Sequence, residues 1–315
     1  MNVEKASQIA KSIKKNIQKV IIGKDDVIQK IITALIAGGH ILLEDTPGTG
    51  KTLLTKALAK SINSEFKRIQ FTPDLLPSDV TGLNVYNQKE SCFTFIPGPA
   101  FTNILLADEI NRATPRTQSS LLECMEERQI TVDGDTRFLS ELFFVAATQN
   151  PIETAGTFPL PEAQMDRFMM QLSMGFPTKE EELNMIERFI KDNPLIELSP
   201  VCTKEELLLI REFSKSIYVH PSIREYIVEI VSATRSNPSI AIGVSPRGTL
   251  ALIKAVQVYA LINNRNYVLP DDVKTLAPSV FGHRILMHTA MSLTSTNPLN
   301  DILNSLPVPA DYTEN

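Results

Sequence analysis

In the run ILLEDTPGTGKT at 41–52, Lys51 and Thr52 follow directly on a turn made of Pro47, Gly48, Thr49 and Gly50. Glycines in such a turn let backbone N–H groups close around phosphate oxygens, and a helix starting at Lys51 aims its positive end at the same point. Lys51 is then placed to reach the β- and γ-phosphates of a nucleotide, Thr52 to hold Mg²⁺, and Leu53 to border the site. The run departs from the strict G-x-x-x-x-G-K-[ST] pattern at its first glycine, where Asp45 stands. An aspartate is tolerated there only if the position does not demand positive φ.

Two acids supply the complementary chemistry. The stretch NILLADE at 103–109 runs apolar and ends on Asp108 and Glu109. Asp108 is expected to join the Mg²⁺ coordination sphere, and Glu109 to polarise an attacking water. Asn150 follows another apolar run, Leu142 to Thr148, and is suited either to hold that water or sense a γ-phosphate, or simply to turn the chain before Pro151. Upstream, Ile22 and Gly23 end an apolar patch, where Ile22 is suited to flank an adenine ring or to pack in the core.

These residues need strands and helices to hold them. Ile41 to Leu43, Phe66 to Phe71, Asn103 to Glu109, Leu142 to Thr148 and Phe168 to Leu172 read as strands. Val3, Ala6, Ile9, Ala10, Ile13, Ile17 and Val20 recur at helical spacing, a second helix covers Asp25 to Ile36, and another follows Lys51 through Leu54, Ala57, Leu58 and Ile62. Thr114-Pro115 starts a helix running to about Arg128, and a short helix at 159–168 carries Arg167 near its end. Two hairpins are expected, one around Asn84–Tyr86 and Cys92–Ile96, the other over Gln129 to Leu139 with Asp133-Gly134 as its turn. Beyond the hinge-like 173–178, helices dominate: Thr178, Thr203 and Ser222 each precede a Glu by three residues as in a capping box, and Ser245-Pro246 starts a further helix. Arg247 falls in that helix's first turn, where a cation opposes the dipole, so a functional role is expected. The tail from Asn297 is expected to pack loosely.

Composition sets the limits. The chain has 315 residues, 43% hydrophobic and 21% charged, enough for about two domains and a sizeable core. No run is long and apolar enough for a membrane span, and the N-terminus is unlike a secretory signal. Cys92, Cys124 and Cys202 lack metal-ligand spacing and fit a reducing cytoplasm, and His283 and His288 do not share a helix face.

The motifs TPDLLPSDVTG at 72–82, DEINRATPRTQSSLLECMEERQITVDG at 108–134, ATQNPIETAGTFPLPEAQMDRF at 147–168 and GVSPRG at 243–248 resemble those of MoxR-type AAA+ ATPases, over essentially the whole chain. The resemblance implies a P-loop α/β core at 1–175 with a five-stranded parallel sheet and β-hairpin inserts, plus a C-terminal all-α lid at 176–315. It also implies ATP and Mg as cofactors, Asn150 as sensor 1, and Arg247 as a sensor-2 residue reaching the γ-phosphate from the lid. Arg167 becomes an arginine finger offered to a neighbouring subunit, with Arg112 the competing candidate, in a homo-oligomeric, hexameric ring. The implied activity is chaperone-like remodelling of a protein client, with a von Willebrand A domain protein as partner. Two other readings stand beside it: a nucleic-acid motor, and a binding switch that hydrolyses little. The net charge of −5 and the single basic cluster of Lys11, Lys14, Lys15 and Lys19 argue against the motor. Glu109, Asn150 and Arg167 argue against the switch.

Overall fold

The computed structural model describes residues 1–151, 156–191, 193–288 and 298–310. Helix α1 (Val3–Gln18) is capped by Asn2, whose side chain accepts from the Lys5 N–H, and buries Ala6, Ile9, Ala10, Ile13 and Ile17. Helix α2 (Asp25–Ala37) stops on Gly38 in the left-handed region. There follow β1 (Ile41–Glu44), α3 (Lys51–Ser61), β2 (Phe66–Gln70), α4 (Pro77–Thr81), β3 (Gly82–Asn87), β4 (Cys92–Pro97), β5 (Ile104–Asp108), α5 (Pro115–Glu127), β6 (Gln129–Val132), β7 (Asp135–Phe138), β8 (Phe144–Gln149), α6 (Glu162–Met165) and β9 (Met170–Leu172).

Five of these strands make one parallel sheet in the order β2-β5-β8-β1-β9. Ile104, Leu105, Leu106 and Ala107 of β5 are all fully buried, because apolar layers cover both faces of the sheet. In a parallel sheet all C-terminal ends share one edge, which is where ligands collect. The inserts β3–β4 and β6–β7 are antiparallel hairpins standing apart from that sheet. Asp133 and Gly134 both take positive φ at the second turn, as a two-residue hairpin loop requires. The hairpins touch: Asn84 donates to Asp133 Oδ2 at 2.8 Å, and the Arg137 guanidinium lies 4.1 Å from the Phe95 ring centre.

The C-terminal part is α7 (Lys179–Lys191), α8 (Pro194–Glu197), α9 (Lys204–Ser214), α10 (Pro221–Ser236), β10 (Ile240–Ile242), α11 (Pro246–Ile262), α12 (Pro270–Phe281), β11 (Leu286–Met287) and α13 (Pro298–Ser305). Thr178 with Glu181 and Thr203 with Glu206 form the expected reciprocal caps, and Ser245 accepts from the Gly248 N–H. Ser222 caps nothing of the kind. Pro221 is the first residue of α10 and His220 its cap, since proline is preset for that position and has no N–H to satisfy. The expected loose tail is also corrected: α13 buries Leu299, Ile302 and Leu303 against α10 and α12. Asn297 and 311–315 lie outside the described residues.

One apolar core runs without interruption from α1 and α2 through β1 into α11 and α12. Polar ties reinforce it. Ser7 Oγ donates to the Ile262 carbonyl at 2.9 Å, and the buried Arg284 donates through Nε to Asp166 Oδ1 at 2.6 Å and through Nη2 to the Phe168 carbonyl at 2.6 Å.

Candidate active site

The loop from Asp45 to Gly50 leaves β1 and delivers the chain into α3. Gly48 and Gly50 adopt φ of 87° and 90°, which a residue with a Cβ rarely takes. Lys51 Nζ donates to the carbonyls of Asp45 at 2.8 Å and Thr46 at 3.2 Å. Burial lowers the Lys51 pKa, and the carboxylates of Asp45, Asp108 and Glu109 oppose that shift. The loop and the β5 acids therefore share one electrostatic environment. Asp45 is not among the positive-φ residues, so the departure from glycine carries no backbone strain. Its carboxylate turns instead to the segment after β9, accepting from Ser173 Oγ at 2.7 Å and from the N–H groups of Met174 and Gly175 at 2.8 and 2.9 Å.

Asp108 closes β5, and Glu109 follows it at φ 56°, a left-handed conformation costing about 1 kcal/mol for a non-glycine residue. That turn breaks the alternation of a strand, so two successive acids both act on Lys51. Thr148 of β8 braces them, donating to Asp108 Oδ1 at 2.6 Å and accepting from the Glu109 N–H at 2.8 Å. Arg68 pairs with Asp108 Oδ2 at 2.8 Å, Gln70 donates to Glu109 Oε2 at 2.8 Å, and Arg112 stands 3.4 Å from the same oxygen. Arg68, Gln70 and Thr148 escaped the reading of motifs. The period-two spacing of Arg68 and Gln70 on β2, in register with Leu106 and Asp108, was the available signal. Asn150 is half-buried just after β8, the strand beside β5, as expected of a residue one strand over from Asp108.

A cavity of about 560 Å³ opens beside the loop, lined by Ile22, Gly48, Thr49, Gly50 and Leu53 and closed by Met174, Phe176 and α7. Gly23 adjoins it at φ 72°, a conformation that favours glycine, with the movable end of the Glu181 side chain beside it. Pro47 is exposed on the loop, and Thr52 is half-buried in the first turn of α3, near Lys51.

Arg167 and Arg247 are brought together, away from this cavity. Arg167 lies two residues past α6, with Nε 3.2 Å from Glu126 Oε2, and Arg247 Nη2 pairs with the other oxygen of the same carboxylate. Both line a separate cleft of about 390 Å³ that also holds Arg128, Lys254 and Arg284. Arg247, which the family resemblance casts as a sensor-2 residue, stands at the end of α5, because α11 packs on α1 and α2 and carries its N-terminus there.

A phosphate loop on the first strand, paired acids two strands away and an appended helical part define the protein as an ATPase of the AAA class. The family profile described as "ATPase family associated with various cellular activities (AAA)" matches residues 40–170, and the AAA lid domain profile matches residues 232–303. Within that class the chain belongs to the MoxR-type AAA+ ATPases. It is 37% identical over 305 residues to Chaperone MoxR1 of Mycobacterium tuberculosis, covering 93% of this chain and 80% of that protein. It is also 50% identical over 297 residues, 93% of each chain, to YeaC of Bacillus subtilis, which is described as uncharacterised. A crystal structure from Cytophaga hutchinsonii, of a protein assigned as an ATPase, superposes with a TM-score of 0.91 at 37% identity over 98% of this chain and 97% of that one.

Proposed function

We propose that the chain hydrolyses ATP with Mg²⁺ at the β1–β5 edge and couples turnover to remodelling or activating a partner protein. The observation that carries this reading is a loop whose Gly48 and Gly50, at positive φ, line a cavity of nucleotide size, with Lys51 beside them in the field of the Asp108 and Glu109 carboxylates. Lys51 binds the phosphates. Asp108 and Thr52 offer the hard oxygen ligands that suit Mg²⁺, which when bound neutralises charge on the β- and γ-oxygens. Glu109, held by Gln70 and Arg112, orients and polarises the water, a task shared with Asn150 from the end of the neighbouring strand β8.

The core is taken as residues 1–175 and the lid as 176–315. Arg167 and Arg247 sit together on Glu126, away from their own chain's loop, which favours their joint use on the nucleotide of a neighbouring subunit in a ring. The hexameric number and a von Willebrand A domain partner rest on family resemblance, and a cytoplasmic location on the usage of Cys92, Cys124 and Cys202. No described helix is long and apolar enough to cross a membrane. The hairpins offer a client surface: Phe93 and Phe138 are 72% and 78% exposed. A protein client is favoured over nucleic acid by the charge of −5. The test is steady-state ATPase activity with a co-purifying protein, captured on a Glu109→Gln bait, and separately with single- and double-stranded DNA. Stimulation by the protein alone is expected; several-fold stimulation by DNA alone would establish the motor reading instead.

A further inference from the structure

The first residue of the phosphate loop is an aspartate whose side chain is hydrogen-bonded to the segment after β9. Asp45 is 6% exposed, and its two carboxylate oxygens accept three hydrogen bonds, from Ser173 Oγ and the successive N–H groups of Met174 and Gly175. Gly175 adopts φ 60°, and that left-handed turn lets two neighbouring N–H groups converge on one anion. A Cβ on Gly175 would meet nothing within 4 Å, so backbone conformation rather than space calls for glycine there. Met174 and Gly175 also line the 560 Å³ cavity, and Phe176 and Pro177 continue its wall into α7.

We propose that Asp45 is a positioning residue that fixes the Ser173–Gly175 segment and thereby sets the wall against which the nucleoside part of the substrate packs. The inference rests on the cavity being the nucleotide site. A free carboxylate beside phosphates would repel them, whereas this one is engaged by three donors that share its charge. Phosphate recognition is left to Gly48, Gly50 and Lys51. The division of labour predicts selectivity: disturbing Asp45 weakens ligands that carry a base and spares those that consist of phosphate alone.

The experiment is calorimetric titration of the full chain with ADP and with tripolyphosphate, for wild type, Asp45→Ala, Asp45→Asn, Ser173→Ala and Lys51→Ala, each checked by thermal melting. Hydrogen bonds to an ionised group are each worth about tenfold in an equilibrium, so Asp45→Ala should weaken ADP at least tenfold while changing tripolyphosphate less than about threefold. Ser173→Ala, which removes one donor and lines no part of the cavity, should give a smaller loss with the same selectivity. Asp45→Asn should fall between wild type and Asp45→Ala. Equal weakening of both ligands, or no weakening of ADP, overturns the proposal. If Asp45→Ala does not fold, the selectivity of Ser173→Ala decides. Failure of wild type to bind ADP would remove the nucleotide reading and this inference together, whereas binding that Lys51→Ala loses and the Asp45 and Ser173 variants keep removes this inference alone.

Discussion

The proposed roles of Lys51 and Glu109 fall at different moments of the reaction. In the proposed reaction Lys51 would contact bound phosphate, and Glu109 would act on a water whose attack develops only in the transition state. Lys51→Ala should therefore abolish nucleotide binding, while Glu109→Gln should bind ATP as wild type does and turn over at least 100-fold more slowly, in line with the loss of a general base. Wild-type hydrolysis by Glu109→Gln would reassign the base. Thr148 presents a different kind of test. It bridges a carboxylate and a left-handed N–H at 2.6 and 2.8 Å, so Thr148→Val keeps the shape but strips both groups of a partner. A loss of about 1–3 kcal/mol in denaturant-derived stability is expected, together with reduced turnover, because Glu109 loses its brace.

At the scale of elements, His40 ties three of them together. Its ring sits at the entry to β1, with Nε2 donating to the Met125 carbonyl of α5 and Nδ1 accepting from the Val145 N–H of β8, both at 3.0 Å. That arrangement requires the neutral ring. Burial holds its pKa down at about 4, from an ordinary 6.5. His283, half-buried beside Arg284 after α12, is likewise lowered to about 3 by desolvation and by the neighbouring guanidinium. Unfolded, both rings take up protons as pH falls below 6.5, and folded they do not. The unfolded chain thus binds more protons in that window, and stability present above pH 6.5 is lost as pH falls toward about 4. Each histidine contributes a slope of about 1.4 kcal/mol per pH unit. Urea melts across the window should give a shallower slope for His40→Gln than for wild type; an identical slope would contradict the buried neutral ring.

At the scale of the whole molecule, the C-terminal helices and the sheet share one core, so large relative movement within a subunit would tear apolar contacts apart. Arg284 is the polar pin in that joint. Its side chain is only 2% exposed and pairs with Asp166, next to Arg167. Asp166→Ala leaves that charge buried without its counter-ion and should cost about 3–5 kcal/mol, read as a lowered denaturant midpoint. If conformational work passes between subunits, Arg167 acts in trans. Mixing Arg167→Ala with Lys51→Ala subunits, each inactive alone, should then restore part of the activity, since mixed rings contain interfaces with an intact loop facing an intact arginine. An arginine finger is worth about 10³–10⁵ in rate, which makes the recovery measurable. Absence of recovery at every ratio, with both variants assembling, would locate the arginine's action within its own chain.

Local patterns were enough to determine the phosphate loop, the β5 acids, the five strands, both hairpins and two of the three proposed capping boxes. The reason is that each depends on neighbours a few residues away: glycines before Lys51, a buried run before Asp108, Asp133-Gly134 at a turn. The third proposed box, at Ser222, failed within the same local range, because Pro221 outcompeted it for the helix start. What no window of sequence contains is where separate elements meet. The sequence marked Arg247 as functional from its conflict with the helix dipole, but only the packing of α11 on α1 and α2 puts it beside Arg167 on Glu126. Asp45 read as a defect in a motif. Tertiary structure turned it into the anchor of a segment 128 to 130 residues away, because a hydrogen bond depends on distance in space and is indifferent to distance along the chain.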